Sequence, residues 1–351
     1  MGQVRHGYMR ACLARRLPFS LCPPSNLEVR QFIESAENDY LLCERTRFPP
    51  DLFYSQAPPF DEGGLFRGET CSVLSMGRTA LKNEKERKKH LMNEKKCKVL
   101  AAQIRLETLK VIHSRGFGHV GGSMDLADLM AVLYGEVMKF DPKNPRWEDR
   151  DWLVLSKGHA GPVAYATFGI MGFYPMEEAY TLNHPHTRFP SHTDRKLTPG
   201  VDLTTGSLGQ GASTATGAAL GNKIDGRTNH VFCVIGDGEA DEGQVWESFQ
   251  FAYAHKLDNL IYFIDKNGYQ LDGPTDDILA HGDLAKKAES FGLYTQEIDG
   301  HDVQAIYDAI QNAYAKKGVP SCIVLDTCKG KGATFAEPKH DHSSQPNEEQ
   351  W

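Results

Sequence analysis

Asp237 and Asn267 are the residues with which chemistry can begin. They lie in the stretch HVFCVIGDGEADEGQVWESFQFAYAHKLDNLIYFIDKNGYQLDG, residues 230–273. The β-formers Val231, Phe232, Val234 and Ile235 stop abruptly at Gly236-Asp237-Gly238. A helical pattern follows, with Val245, Trp246, Phe249 and Ala252 three and four residues apart. A second strand, Leu260 to Ile264, ends in Asp265-Lys266-Asn267. This is a βαβ unit, which predicts neighbouring parallel strands and a right-handed crossover. Ligands of such sheets sit beyond the carboxyl ends of the strands, where both Asp237 and Asn267 fall. A carboxylate and an amide oxygen there can share a hard cation such as Mg²⁺, which takes one or two protein oxygens together with phosphates. Gly236 and Gly238 let the backbone approach an anionic ligand closely.

Other stretches must deliver their own chemistry to the same end of the sheet. SRGFGHVGGS (114–123) sets His119 among glycines, between an amphipathic helix and a second helix expected to start near Ser123, with Ser123 or Asp125 as N-cap. DWLVLSKGHA (151–160) is a strand and a loop carrying His159. A polar, Pro- and His-rich loop, 181–198, holds His184, His186 and His192. TTGSLGQG (204–211) opens a helix of small residues that can pack closely on a sheet. Farther on, 284–291 reads as helix, 294–298 as strand, 302–316 as helix and 321–327 as strand, followed by Lys329-Gly330-Lys331-Gly332, a turn whose lysines could meet anions. The polar stretch from Pro338 contains His340 and His342.

GDGEADEGQVWE, TTGSLGQG, LSKGHA and GFGHVGGS resemble the N-terminal portion of transketolase, over roughly residues 95–335. The resemblance implies an α/β thiamine diphosphate-binding fold, with a mostly parallel central sheet and helices on both faces. It implies metal ligation by Asp237, Asn267 and the backbone carbonyl of Tyr269, with Mg²⁺ expected and Ca²⁺ or Mn²⁺ as substitutes. It implies cofactor contacts from His159, Gly206, Leu208, Asp237, Gly238, Glu242, Asn267 and Leu271, with Glu242 at an intersubunit contact beside the site. His119, His159 and His192 are expected to bind substrate and move protons; His184 and His186 are alternatives to His192. His340 and His342 are both candidates for the diphosphate. Val120 departs from the Pro that the family often has there.

The implied reaction is transfer of a two-carbon ketol unit from a ketose phosphate to an aldose phosphate. A whole transketolase goes on to a pyrimidine-binding domain and a further domain. The expectation is therefore a split enzyme: this chain as the diphosphate-binding subunit, completed by a separate C-terminal subunit in a heterotetramer. The alternatives are another thiamine diphosphate enzyme, similar to the alpha subunit of 2-oxo acid dehydrogenases or to deoxyxylulose phosphate synthase, and a degenerate, non-catalytic homologue.

Bulk properties set outer limits. The chain has 351 residues and a net charge of −7, which argues against a general nucleic-acid binder. No run of apolar residues is long enough for a membrane span. Eight cysteines without a CxxC pair point to free thiols and a cytoplasmic setting. Residues 1–91 do not resemble the family, 92–337 form the expected diphosphate-binding domain, and 338–351 a polar tail. The basic, polar run from Leu81 to Lys98 reads as a solvated helix face.

Overall fold

The computed structural model describes residues 92–344 together with Asn347; the expectations for residues 1–91 lie outside them. Five parallel strands form one sheet: β1 (Trp152–Leu155), β2 (Val231–Gly236), β3 (Leu260–Lys266), β4 (Tyr294–Asp299) and β5 (Ser321–Asp326), in the order β1-β2-β3-β5-β4. Val231 pairs with Leu260 and Gly236 with Asp265, so the ends carrying Asp237 and Asn267 are adjacent.

The central strands are apolar almost throughout because both faces are covered. Phe232, Val234, Ile261, Phe263, Ile323 and Leu325 point into one core. Cys233, Ile235, Tyr262, Ile264, Cys322 and Val324 point into the other. The first core is closed by α1 (Glu94–His113), α3 (Ala127–Val132), α4 (Gly161–Ile170) and α10 (Val303–Ala315). The second is closed by α6 (Gln210–Ile224), α7 (Gly243–Ala254) and α9 (Leu284–Ser290). Short helices α2 (Val120–Met124), α5 (Met176–Ala179) and α8 (Thr275–Leu279) complete the set.

Local chemistry accounts for the boundaries. Asn93 caps α1 by accepting from the Lys96 N–H, and Asp302 caps α10 by accepting from Gln304 and Ala305. Val303, Ile306, Ala309, Ile310 and Ala313 give α10 one buried stripe. Among the described residues four cysteines are present as free thiols, with Cys97, Cys233 and Cys322 buried.

One expectation is corrected. The helix after the glycine-rich loop begins at Val120, not near Ser123, and neither Ser123 nor Asp125 caps it. His119 stands at the N-cap position, and Asp125 turns its carboxylate inward. The glycines that suggested a loop lie in a helix where neighbours leave no room for a side chain. A Cβ on Gly121 would lie 2.3 Å from the Asp341 carbonyl oxygen, and one on Gly122 3.0 Å from Lys157 Nζ.

Candidate active site

The carboxyl ends of β1, β2, β3 and β5 surround a cavity of about 270 Å³. Its walls include His119, His159, His192, Gly206, Leu208, Asp237, Gly238, Asn267, Tyr269 and Leu271, so the structure brings together the expected site residues apart from Glu242. That residue is the exposed N-cap of α7, without a side-chain capping bond. His184 and His186 do not line the cavity, whereas His192 does. Of the two candidates in the polar stretch, His342 enters the cavity and His340 stacks on the Tyr269 ring at 4.0 Å.

The four imidazoles form a cluster. The His119 ring centre is 5.6 Å from that of His159, 5.5 Å from His192 and 5.4 Å from His342. His159 and His342 are 5.0 Å apart. Different elements hold each ring: the start of α2, the turn after β1, the 181–198 loop, and the stretch after β5. The last is anchored by the Gly121 N–H donating to the His342 carbonyl at 3.3 Å and by a bridge between Gly118 and Ser344. Burial lowers the pKa of His119, with His192 adding to it. Burial and then the nearby Lys157 lower that of His159 well below the ordinary value. Burial lowers that of His192. Burial, then Lys329, bring His342 down to about 4. At neutral pH these are neutral rings, each with one donor and one acceptor nitrogen.

Asp237 is nearly buried; its Oδ2 accepts the Gly268 N–H at 2.6 Å and its Oδ1 the Gly238 N–H at 2.8 Å. Burial and then Asp265 raise its pKa, opposed by those two N–H groups. Asn267 Oδ1 accepts the Tyr269 N–H at 3.0 Å. The Tyr269 carbonyl accepts from Lys329 Nζ at 2.7 Å. No group of three or more His, Cys, Asp or Glu able to hold a metal occurs among the described residues. The candidate set is one carboxylate, one amide oxygen and one carbonyl, the oxygen donors a hard cation takes.

Two lysines add to the expected set. Lys157, of LSKGHA, lines the cavity, nearly wholly buried and paired with Asp265, 4.0 Å from Asp125. Despite burial, Asp265 and Asp125 raise its pKa. Lys329 lines the cavity, and burial, then Lys157, bring it down to about 8. The KGKG turn is the signal that marks Lys329 in the sequence. None exists there for Lys157, because a strand-loop junction does not reveal which way a side chain points.

The residues present fit thiamine diphosphate with a metal. Lys329 offers positive charge to a diphosphate. The buried Nδ1 of His119 has no hydrogen-bond partner among the described residues. Leu208 and Leu271, 39% and 68% exposed, offer apolar surface at the rim.

The comparisons with known proteins agree with this fold. The family described as transketolase, thiamine diphosphate binding domain, matches residues 96–350. A 6-deoxy-6-sulfo-D-fructose transketolase subunit from Clostridium sp. (strain MSTE9) is 48% identical, over 71% of this chain and 90% of that one. An apulose-4-phosphate transketolase subunit from Actinobacillus succinogenes is 35% identical, over 70% and 87%. The solved transketolase from Campylobacter jejuni superposes with a TM-score of 0.69 at 31% identity; the match covers 74% of this chain and 42% of that one. On this agreement of fold and sequence, the chain belongs to the transketolase family, as a thiamine diphosphate-binding domain.

Proposed function

We propose that this chain is the diphosphate-binding subunit of a split, Mg²⁺-dependent transketolase, active with a separate C-terminal subunit. The observation that carries the proposal is the convergence of four neutral imidazoles, two lysines and the Asp237, Asn267 and Tyr269 oxygens on one cavity at the strand ends. The two relatives named as transketolase subunits, of which the matches cover 90% and 87%, support the partner. We take residues 92–337, with the stretch to Ser344 that carries His342 packed onto them, as the domain, and the cytoplasm as its place. No helix among the described residues is long and apolar enough to cross a membrane.

Bound thiamine diphosphate supplies the electron sink for cleaving a carbon–carbon bond beside a ketone, which side chains lack. The chain's own residues do the rest. Asp237, Asn267 and the Tyr269 carbonyl hold the metal. Lys329, with His342 beside it, takes the diphosphate charge, and Gly238 gives it room. Gly206, Leu208 and Leu271 flank the cofactor ring and keep water from it, while Glu242 meets the partner. His119, His159 and His192, being neutral, can accept a proton from a sugar hydroxyl and return one to a carbonyl oxygen. The substrates are a ketose donor and an aldose acceptor with an anionic terminal group. The 48% identity to a sulfofructose transketolase subunit favours a sulfonate there, with a phosphate as the other reading.

Calorimetry tests the proposal. Thiamine diphosphate and Mg²⁺ should bind more tightly to this chain mixed with the C-terminal subunit than to the chain alone, and Asp237→Ala should abolish binding in both. Ketol transfer by this chain alone would rule out the split arrangement. Absence of binding in both states would favour a non-catalytic homologue. Comparing turnover of 6-deoxy-6-sulfo-D-fructose and fructose 6-phosphate decides between the two anions.

A further inference from the structure

Behind the candidate metal ligands lies a buried group that the proposed function does not use. Asp125, in the turn between α2 and α3, is fully buried. Its Oδ1 accepts the Gly330 N–H at 2.7 Å, and its Oδ2 accepts from Asn267 Nδ2 at 2.9 Å. The same Nδ2 lies 3.3 Å from Asp265 Oδ2. Asp265 is itself buried, paired with Lys157 and taking the Thr327 hydroxyl at 2.5 Å. The NH₂ of Asn267 is thus turned toward two buried carboxylates. Rotating the amide by half a turn would set its carbonyl oxygen against the Asp265 carboxylate, with no hydrogen between.

We propose that Asp125 is a positioning residue that holds the Asn267 amide with Oδ1 turned away from the buried carboxylates, as the metal requires, and ties it to the Lys329-Gly330 turn. The inference rests on the assignment of Asn267 as a metal ligand made above. It adds an orienting partner of the kind that commonly fixes a ligand's direction, the loss of which weakens metal affinity about 10–100-fold. One residue thereby couples two strand ends, β3 through Asn267 and β5 through Gly330, so that the cation and anion halves of the site share a common reference.

The geometry singles out one substitution. In Asp125→Asn, either orientation of the new amide sets two donors face to face, against Gly330 N–H or against Asn267 NH₂. Two readouts follow on the full chain. The first needs no cofactor: the side-chain NH₂ signals of Asn267 in ¹⁵N spectra, identified by their loss in Asn267→Asp, should exchange slowly with solvent, and faster in Asp125→Asn. The second is Mn²⁺ titration with thiamine diphosphate on the chain mixed with the C-terminal subunit, followed by electron paramagnetic resonance. Asp125→Asn should weaken Mn²⁺ about 10–100-fold. A general structural defect would speed the exchange of buried amides throughout the chain, whereas lost positioning speeds that of the Asn267 NH₂. Fast exchange in the wild type, or unchanged Mn²⁺ affinity in a folded Asp125→Asn, overturns the positioning role. Slow exchange with no Mn²⁺ binding by the wild type would instead sink the assignment of Asn267 as a ligand, and the positioning role with it.

Discussion

The imidazole cluster makes this site sensitive to acid. A histidine with pKa near 6.5 in the unfolded chain and about 4 in the folded one binds its proton more readily when unfolded. The stability contributed by His342 is therefore complete above about pH 6.5 and is lost as pH falls toward 4. His159, His119 and His192 are displaced the same way. The thermal midpoint should fall between pH 7 and 5, and His342→Asn should flatten that slope, as scanning calorimetry across this range would reveal. Lys157 behaves differently, as the cation paired with the buried Asp265 and 4.0 Å from the buried Asp125. Lys157→Met leaves Asp265 uncompensated and should cost about 3–5 kcal/mol in denaturant unfolding; an effect below 1 kcal/mol would mean that Asp265 is already neutral. The sequence disclosed the residues whose chemistry is local in the string: Asp237 and Asn267 at abrupt strand ends, His119 among glycines, the KGKG turn. It did not disclose Lys157 or Asp125. Their roles depend on partners 108 and 142 positions away, and a lone aspartate near a helix start looks like a cap.

Elements were more legible than contacts. The predicted strands and helices from His230 onward form with boundaries shifted by a residue or two, because long apolar runs and Asp caps mark them. The failure was α2, where Gly121 and Gly122 pointed to a loop; a glycine in a helix costs about 1 kcal/mol, and only tertiary crowding explains why it is kept. That crowding is testable. In Gly121→Ala the new methyl would meet the Asp341 carbonyl at 2.3 Å, so α2 and the 336–344 stretch must part. Stability should drop by about 1–3 kcal/mol, and proteases should cut between 336 and 344 faster than in the wild type. An unchanged cleavage rate would mean that this stretch is not held by α2. Because His342 rides on that stretch, its ring should also leave the cluster, visible as a histidine resonance titrating nearer its ordinary value.

At the scale of the molecule, the sheet faces are both covered, yet apolar side chains stay exposed: Leu208 and Leu271 at the cavity rim, and Ile278 and Leu279 in α8. On the split-enzyme reading these residues should gain protection from hydrogen exchange when the C-terminal subunit is added, in the 204–211 and 268–279 segments above all. Protection elsewhere, with these segments unchanged, would put the partner on another face. The strand order has a consequence of a different kind. β4 precedes β5 in the chain but pairs only with it, while β5 inserts between β3 and β4. A ribosome that has released residues up to 315 has therefore delivered β3 with a bare edge and β4 with nowhere to dock. Asn267 waits in such a nascent chain without the Gly330 turn, Thr327 and His342 that later surround it. Closure of the sheet and completion of the cavity are thus one event that waits for β5, and until then the open edge of β3 is the place where chaperones or neighbouring nascent chains have something to grip.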